Sequence, residues 1–408
     1  MFKPMEGVRI LEVAQFTFVP SAGAVLADWG ADVIKVEHAT RGDAQRALAS
    51  MLPQVSAGGE TSFAPVMDGP NRGKRSVGLS LGHPEAAEVL SALIRSSDVF
   101  LTNFLPRTRA KLGIDVDSVR AVNPDIIYAA GSSYARSGPE AVRGGYDGTA
   151  FWARGGSAYM TTQPGASFPA QQPGGAYGDN MGGMTIAGGI SAALFARSRG
   201  LGPATVDISL LGLGAWATQL SVSLSLMAGG PVPPLDPRSA GLPLTCMYRT
   251  ADDRWLALVM LQHDRYWPEF CTRAGRPELA ADERFATAER LREDNGRAAI
   301  ALVEEIIASR TKDEWTAAFD GMDGQWALLQ DPYEVGHDPA LVGDGIVADV
   351  TDADGETRQL IASPVQFNQE APQLTRGPLL GEHTGEVLRP LGFSDAQLAG
   401  LRQSGVIG

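Results

Sequence analysis

VRILEVA at Val8–Ala14, followed by SAGAVLADWG at Ser21–Gly30 and DVIKVE at Asp32–Glu37, decides the fold class. The first and last runs are short and β-rich, and the middle one carries its Ala, Leu and Trp positions at helical spacing and stops at Gly30. Strand, helix and strand with short joints form a βαβ unit, which implies a parallel sheet with a right-handed crossover. Ligands of such sheets gather at the carboxyl ends of the strands. The turn between the first two elements, AQFTFVPS at Ala14–Ser21, has no GxGxxG, so the dinucleotide fingerprint is absent.

Further along, Arg41–Pro70 reads as irregular, with MLPQVSAGGETSFAPVMDGP as a flexible excursion or lid. NRGKRSVGLSL at Asn71–Leu81 is a turn with three cations entering a strand, and HPEAAEVLSALIRSSD predicts a helix with Ala87, Leu90, Leu93 and Ile94 on its apolar face. Another strand, DVFLTNF at Asp98–Phe104, runs into PRTRAKLG, a second basic turn whose Arg107, Arg109 and Lys111 suit an anion. NPDIIYAAGSS predicts a buried strand at Asp125–Ala130, and a Gly-rich connection, Ser137–Arg154, carries Tyr146 and Asp147.

Beyond residue 200, a strand at Ala204–Ser209 leads into one long helix, apolar on every side, which demands a covering partner and predicts a subunit interface. Residues 1–209, completed by 389–408, read as a large domain, and 210–243 as helix and linker. A small α+β domain follows at 244–330, with a hairpin at Tyr248–Met260 and helices at Asp264–Ala274 and Arg297–Arg310. A loop-rich arm, 331–388, returns to a last helix at Ser394–Gly405.

The chemistry concentrates in GGAYGDNMGGMTIAGGISAALFARSRG, residues 174–200. This stretch carries one acid, Asp179, into the first turn of a helix whose apolar face holds Met184, Ile186, Ala187, Ile190, Ala193 and Leu194. Gly182, Gly183, Gly188 and Gly189 leave room for another backbone. Asp is a preferred helix cap. It is also a nucleophile that forms an anhydride with an acyl group, and the free amides and dipole of a helix start favour its ionised form. The residues alone leave both roles open.

Composition narrows the classes. With 34 Lys and Arg against 47 Asp and Glu the net charge is −13, which argues against general affinity for nucleic acid or anionic membrane. Cys246 and Cys271 form no CxxC and read as buried thiols of a reducing compartment. Five scattered histidines offer no paired metal spacing, so no metal is expected. No run of eighteen apolar residues and no signal-peptide core is present, which makes the cytoplasm the expected location.

Taken in order, GVRILEVA, LADWGADVIKVE, the GD at Gly42, NRGKRSVGLSL, DVFLTNFLPRTRAKLG, NPDIIYAAGSSYARSGP, the GYD at Gly145 and GDNMGGM at Gly178 resemble the class III CoA-transferases. That family includes formyl-CoA transferase, carnitine CoA-transferase and the α-methylacyl-CoA racemases. The resemblance implies an α/β fold, a Rossmann-like large domain on a six-stranded parallel sheet plus a small α+β domain. Long linkers would join the two in an interlocked homodimer, with the active site between domains. It places the nucleophile on Asp179 and CoA-binding positions on Phe16, Thr17, His38, Leu79, Asn103, Phe104, Lys111 and Leu112. Arg41, Arg72, Lys74 and Arg75 are expected phosphate contacts by charge.

The implied reaction moves CoA from an acyl-CoA thioester to a carboxylic acid through an aspartyl anhydride and an aspartyl-CoA thioester. CoA is then a substrate, with no tightly bound cofactor. Two departures matter. Where the racemases carry His in a GHD context this chain has Tyr146, a poor partner for two-base proton exchange near neutral pH. The tetraglycine loop of formyl-CoA transferase has no counterpart in SAGLPLTCMYRTADDRW, while Phe16, Phe18, Phe63, Phe151, Trp152, Tyr159 and Phe168 would suit a bulkier aromatic or steroid-like acid, or simply form core. A racemase and a non-catalytic CoA-binding dimer are the alternatives, and Tyr146 and Asp147 are auxiliary candidates.

Overall fold

The computed structural model describes residues 2–51 and 62–408 apart from 235, 237 and 240. Half of the segment expected to be an excursion, residues 52–61, lies outside the described residues. Either side of it the chain is helical rather than irregular, at Ala44–Met51 and Pro65–Asn71.

The first unit, residues 1–232 with 339–408, is built on a six-stranded sheet. Its strands are β1 Arg9–Val13, β2 Asp32–Glu37, β3 Arg75–Gly78, β4 Val99–Thr102, β5 Ile127–Ser132 and β6 Thr205–Ser209. All pairs are parallel, in the order β3-β2-β1-β4-β5-β6, so the direction of winding reverses between β1 and β4. The expected Rossmann-like sheet is therefore present. β5 starts two residues later than the sequence suggests, because the Asn123 side chain is bonded back to the Ile94 and Ser97 carbonyls and holds the approach as a turn.

One sheet face is covered by α1, Phe18–Asp28, and by a 22-residue helix, Tyr177–Ser198. These two pack closely because Gly182 and Gly183 present no side chain to Phe18 and Ser21. Gly189 likewise makes way for Val206, whereas Gly188 faces open space and needs no such freedom. The other face carries the helix Ala86–Arg95, which buries Ala86, Val89, Leu90, Leu93 and Ile94. Its buried face begins at Ala86 rather than at the expected Ala87, which is exposed. The returning chain contributes Leu388, Leu398, Val406 and Ile407 to that same core.

The long apolar helix expected after β6 is two helices, Leu210–Ala217 and Gln219–Ala228, bent by 76°. The break falls at Thr218, whose hydroxyl donates to the Gly214 and Gly155 carbonyls at 3.0 Å each and so competes with the helical ladder. Residues 331–388, read as an arm, hold the short helices Pro332–Gly336 and Pro339–Gly343 and an antiparallel hairpin, Val347–Thr351 with Thr357–Ile361.

The second unit, residues 233–338, has its own core around Tyr248, Trp267, Phe270 and Trp315. The expected hairpin is Met247–Arg249 with Trp255–Leu258, extended by a third strand, Trp326–Leu328. Its expected helices are His263–Arg273 and Gly296–Ile307.

Candidate active site

Two strand ends are joined at the point where the winding reverses. Asn103, just past β4, accepts from the Gln15 backbone N–H at 3.0 Å and donates to the Gln15 carbonyl at 2.6 Å. Over this seam and the ends of β5 and β6 opens a cavity of about 660 Å³. Gln15, Phe16, Phe18, Asn103, Phe104, Arg109, Tyr146 and Asp179 are among its lining residues.

Asp179 reaches this wall through the start of its helix. Ala176 occupies the capping position in the left-handed conformation with no side-chain cap, so Asp179 is not the cap but the third helical residue. Gly178 must be glycine, because a Cβ there would stand 2.6 Å from the Phe151 ring. Asp179 is buried, 8% exposed, and its Oδ1 has no hydrogen-bond partner among the described residues. Burial first, and the negative charge of Asp147 second, push its pKa up to about 7. Burial and Asp147 thus work against the ionised form expected from the helix start, and the Gly178 N–H already goes to Asp147 Oδ2 at 3.2 Å.

Asp147 is well satisfied by contrast. Its Oδ1 accepts from the Gly148 N–H at 2.7 Å and its Oδ2 from Gln172 Nε2 at 2.7 Å, besides Gly178. It ties the Gly-rich connection to the start of the Asp179 helix. Tyr146 is 61% exposed, and its ring meets Phe16 edge-on at 5.6 Å.

Of the residues expected to bind CoA, Phe16, Asn103 and Phe104 line this cavity together with Asp179 and Tyr146. Thr17 is buried behind the wall, its Oγ1 accepting from Gln45 Nε2 at 2.9 Å. His38 is half-buried, and its Nδ1 accepts from the Thr40 and Arg41 backbone N–H groups. Its partial burial and the charge of Arg41 lower its pKa, which keeps the ring neutral. Leu79 is buried, bridged to Ile407. Arg41 and Lys111 are exposed, and Leu112 packs on the core under the sheet.

Three of the four cations expected to hold phosphate are engaged internally. Arg72 pairs with Asp28 at 2.6 Å, Arg75 with Asp32 at 2.7 Å and with Glu386 at 3.0 Å, and fully buried Lys74 with Glu12 at 2.7 Å. Arg109, Arg136 and Arg143 line the cavity instead. Of these the sequence pointed only to Arg109; the signal for the others was the two arginines of YARSGPEAVRGGYD, one just before the Gly-rich connection and one within it. Of the rings suggested for a bulky substrate, Phe16 and Phe18 line the cavity, Phe151 is core, and Tyr159 and Phe168 are exposed.

The winding reversal thus sets an open cavity at the strand ends of an α/β sheet, with a buried acid of raised pKa in its wall. Comparison with known proteins gives the class. The chain belongs to CoA-transferase family III, whose model matches residues 5–384. It is 27% identical over 404 residues to (R)-2-hydroxy-4-methylpentanoate CoA-transferase of Clostridioides difficile, covering 99% of each chain. It is 28% identical over 400 residues to cinnamoyl-CoA:phenyllactate CoA-transferase of Clostridium sporogenes, covering 97% of this chain and 95% of that one. The crystal structure of a CaiB/BaiF family protein from Brucella suis matches with a TM-score of 0.81 at 27% identity, covering 96% of this chain and 100% of the other. The protein is a class III CoA-transferase, with CoA thioesters and carboxylic acids as the substrates of its class.

Proposed function

We propose that this enzyme transfers CoA from an acyl-CoA to a carboxylic acid with Asp179 as the covalent carrier. The observation that carries this reading is the placing of Asp179, buried and with an unpartnered oxygen, in the wall of the strand-end cavity. Ionised Asp179 attacks the donor carbonyl and expels CoA thiolate, leaving an aspartyl-acyl anhydride. The thiolate attacks the aspartyl carbonyl, releasing the donor acid and leaving an aspartyl-CoA thioester. The acceptor carboxylate displaces CoA to form a new anhydride, and the thiolate attacks the acceptor carbonyl, which frees Asp179. No water is consumed, so the thioester energy is kept. Asn103, Phe16 and Phe104 are the cavity residues proposed to meet the CoA arm. Arg109 and Arg136 are the cavity cations proposed for its phosphates; both also feel the charge of Asp207, and Arg109 Nη1 reaches the Tyr128 hydroxyl at 3.5 Å.

Two relatives' names contain a branched and an aromatic acid, and the rings of Phe16, Phe18, Phe104 and Tyr134 supply a comparable lining. We therefore assign an acceptor with a branched or aromatic tail. A screen of acyl-CoA donors against carboxylic acids, followed by mass spectrometry, tests this. Expected is CoA exchange to such acids with little free-CoA release; hydrolysis without exchange would reject transfer. The homodimer, with its chains interlocked, is also part of the proposal. It is supported by the exposure of Trp216 (71%), Leu226 (78%) and Met227 (81%) on the bent helix pair.

A pH profile follows from the raised pKa. The nucleophile must be ionised, so kcat/KM should rise with pH about an inflexion near 7. Asp147→Asn removes the second of the two causes and should move that inflexion down. An inflexion that stays put in this variant shows that the charge of Asp147 does not reach Asp179.

A further inference from the structure

We infer that Asp43 is a positioning residue for CoA transfer: lodged among buried charges, it holds the Phe16 peptide in a left-handed turn and thereby sets the Phe16–Tyr146 wall of the cavity. This rests on the transferase reading above.

Phe16 has φ 63°, a conformation that a bulky L residue keeps only when its surroundings impose it. The imposing contact is a hydrogen bond from the Phe16 N–H to Asp43 Oδ1 at 3.0 Å. Asp43 is itself fixed. Its Oδ1 also accepts from the Gln45 N–H at 2.9 Å, and its Oδ2 pairs with Lys35 Nζ at 2.8 Å, both side chains wholly buried. Lys35 donates in turn to Glu12 Oε1 at 3.1 Å and to the Ala14 carbonyl at 3.2 Å. One ammonium thus secures both the point where the turn leaves β1 and the clamp on its middle. Gln45, in the first turn of the helix Ala44–Met51, holds the next residue, Thr17, at 2.9 Å, so Asp43 and Gln45 grip two successive residues of the turn.

The result is read at the cavity. The Phe16 ring stands edge-on to Tyr146 at 5.6 Å and 88°, and both rings line the space that Asp179 faces. Tyr146 precedes Asp147, which holds the start of the Asp179 helix through Gly178. The ring pair therefore joins the β1 turn to the segment that carries the nucleophile. Without its acceptor, Phe16 is free to relax to negative φ, which swings its ring away from Tyr146 and loosens the wall against which the CoA arm lies.

The test is the dissociation constant of free coenzyme A, measured by calorimetry on the full chain, together with KM and kcat for an acyl-CoA. Asp43→Ala should weaken coenzyme A binding about tenfold and raise KM by a similar factor, with a smaller change in kcat. Asp43→Asn keeps an oxygen for the Phe16 N–H but sets its amide nitrogen against the Lys35 ammonium, so it should recover part of that loss. Because Asp43 acts through the ring, Asp43→Ala added to Phe16→Ala should cost nothing beyond Phe16→Ala alone. Additive losses, or an Asn variant as weak as the Ala variant, would assign Asp43 to stability only and overturn the inference. Should Asp43→Ala fail to fold, the pair Phe16→Ala and Tyr146→Ala decides. Strong coupling in coenzyme A affinity supports the wall, and independent effects overturn it. A wild-type chain that binds no coenzyme A overturns the transferase reading and this inference with it, whereas normal wild-type binding with unaffected variants overturns this inference alone.

Discussion

Asp179→Asn should abolish CoA transfer, by about a thousandfold or more, while making the protein more stable at pH 8. The first half follows from chemistry: an amide neither attacks a thioester nor forms an anhydride, and the remaining cavity only binds. Hydroxylamine added with acyl-CoA should mark residue 179 of the wild type as a hydroxamate and leave the variant unmarked. Wild-type turnover without any such adduct would remove the covalent carrier from the mechanism.

The second half follows from burial. The pKa of Asp179 is raised to about 7, chiefly by desolvation and then by Asp147. An acid raised on folding is buried most cheaply while protonated. Its contribution is complete below its unfolded range, about pH 4, and is lost as the pH climbs through the folded value. At pH 8 the ionised carboxylate costs the fold up to roughly 4 kcal/mol, which Asn does not incur. The gain of Asp179→Asn in denaturant unfolding should therefore be largest above pH 7 and shrink toward pH 4. Equal stability of the two proteins at all pH values would show that the carboxylate is solvated.

The βαβ opening was legible because VRILEVA and DVIKVE carry enough aliphatic residues to be strands whatever surrounds them. Asp179 was legible as a site because glycines crowd it, and two of them, Gly182 and Gly183, do admit the backbone of α1. Its raised pKa was not, since helix position is local while burial and the charge of Asp147, some thirty residues away, depend on the folded packing. The basic turn NRGKRS misled for a related reason. Charge in a turn suggests solvent, but Arg72, Lys74 and Arg75 find Asp28, Glu12 and Asp32, which lie in elements the turn meets only after folding. A charge inside each aliphatic strand, Glu12 and Lys35, was the available clue: the two are register partners across β1 and β2. The break at Thr218 likewise depends on the Gly155 carbonyl, which no local propensity encodes.

Gly183→Ala should be among the most damaging single-methyl additions in the chain, and Gly188→Ala, five residues on, should be mildly stabilising. A Cβ on Gly183 would lie 2.4 Å from Ser21 Cβ and 2.9 Å from the Ser21 carbonyl carbon. The second is a backbone atom, so no rotamer change relieves the clash, and the Asp179 helix must move off α1. Overpacking of this kind costs about 3 kcal/mol, which lowers the melting temperature by roughly 4–5 °C. Activity should fall further than stability alone explains. α1 begins at Phe18, which lines the cavity, and Ser21 Oγ also donates to Asn180, next to the nucleophile, at 3.1 Å. At Gly188 a methyl meets nothing within 4 Å, so only the entropy term remains, a gain of about 0.5–1 kcal/mol from replacing a helical glycine. The contrast between the two positions is the measurement. Similar melting temperatures for both variants would mean that the helices are not pressed together at Gly183, and the seating of Asp179 in the cavity wall would then need another cause.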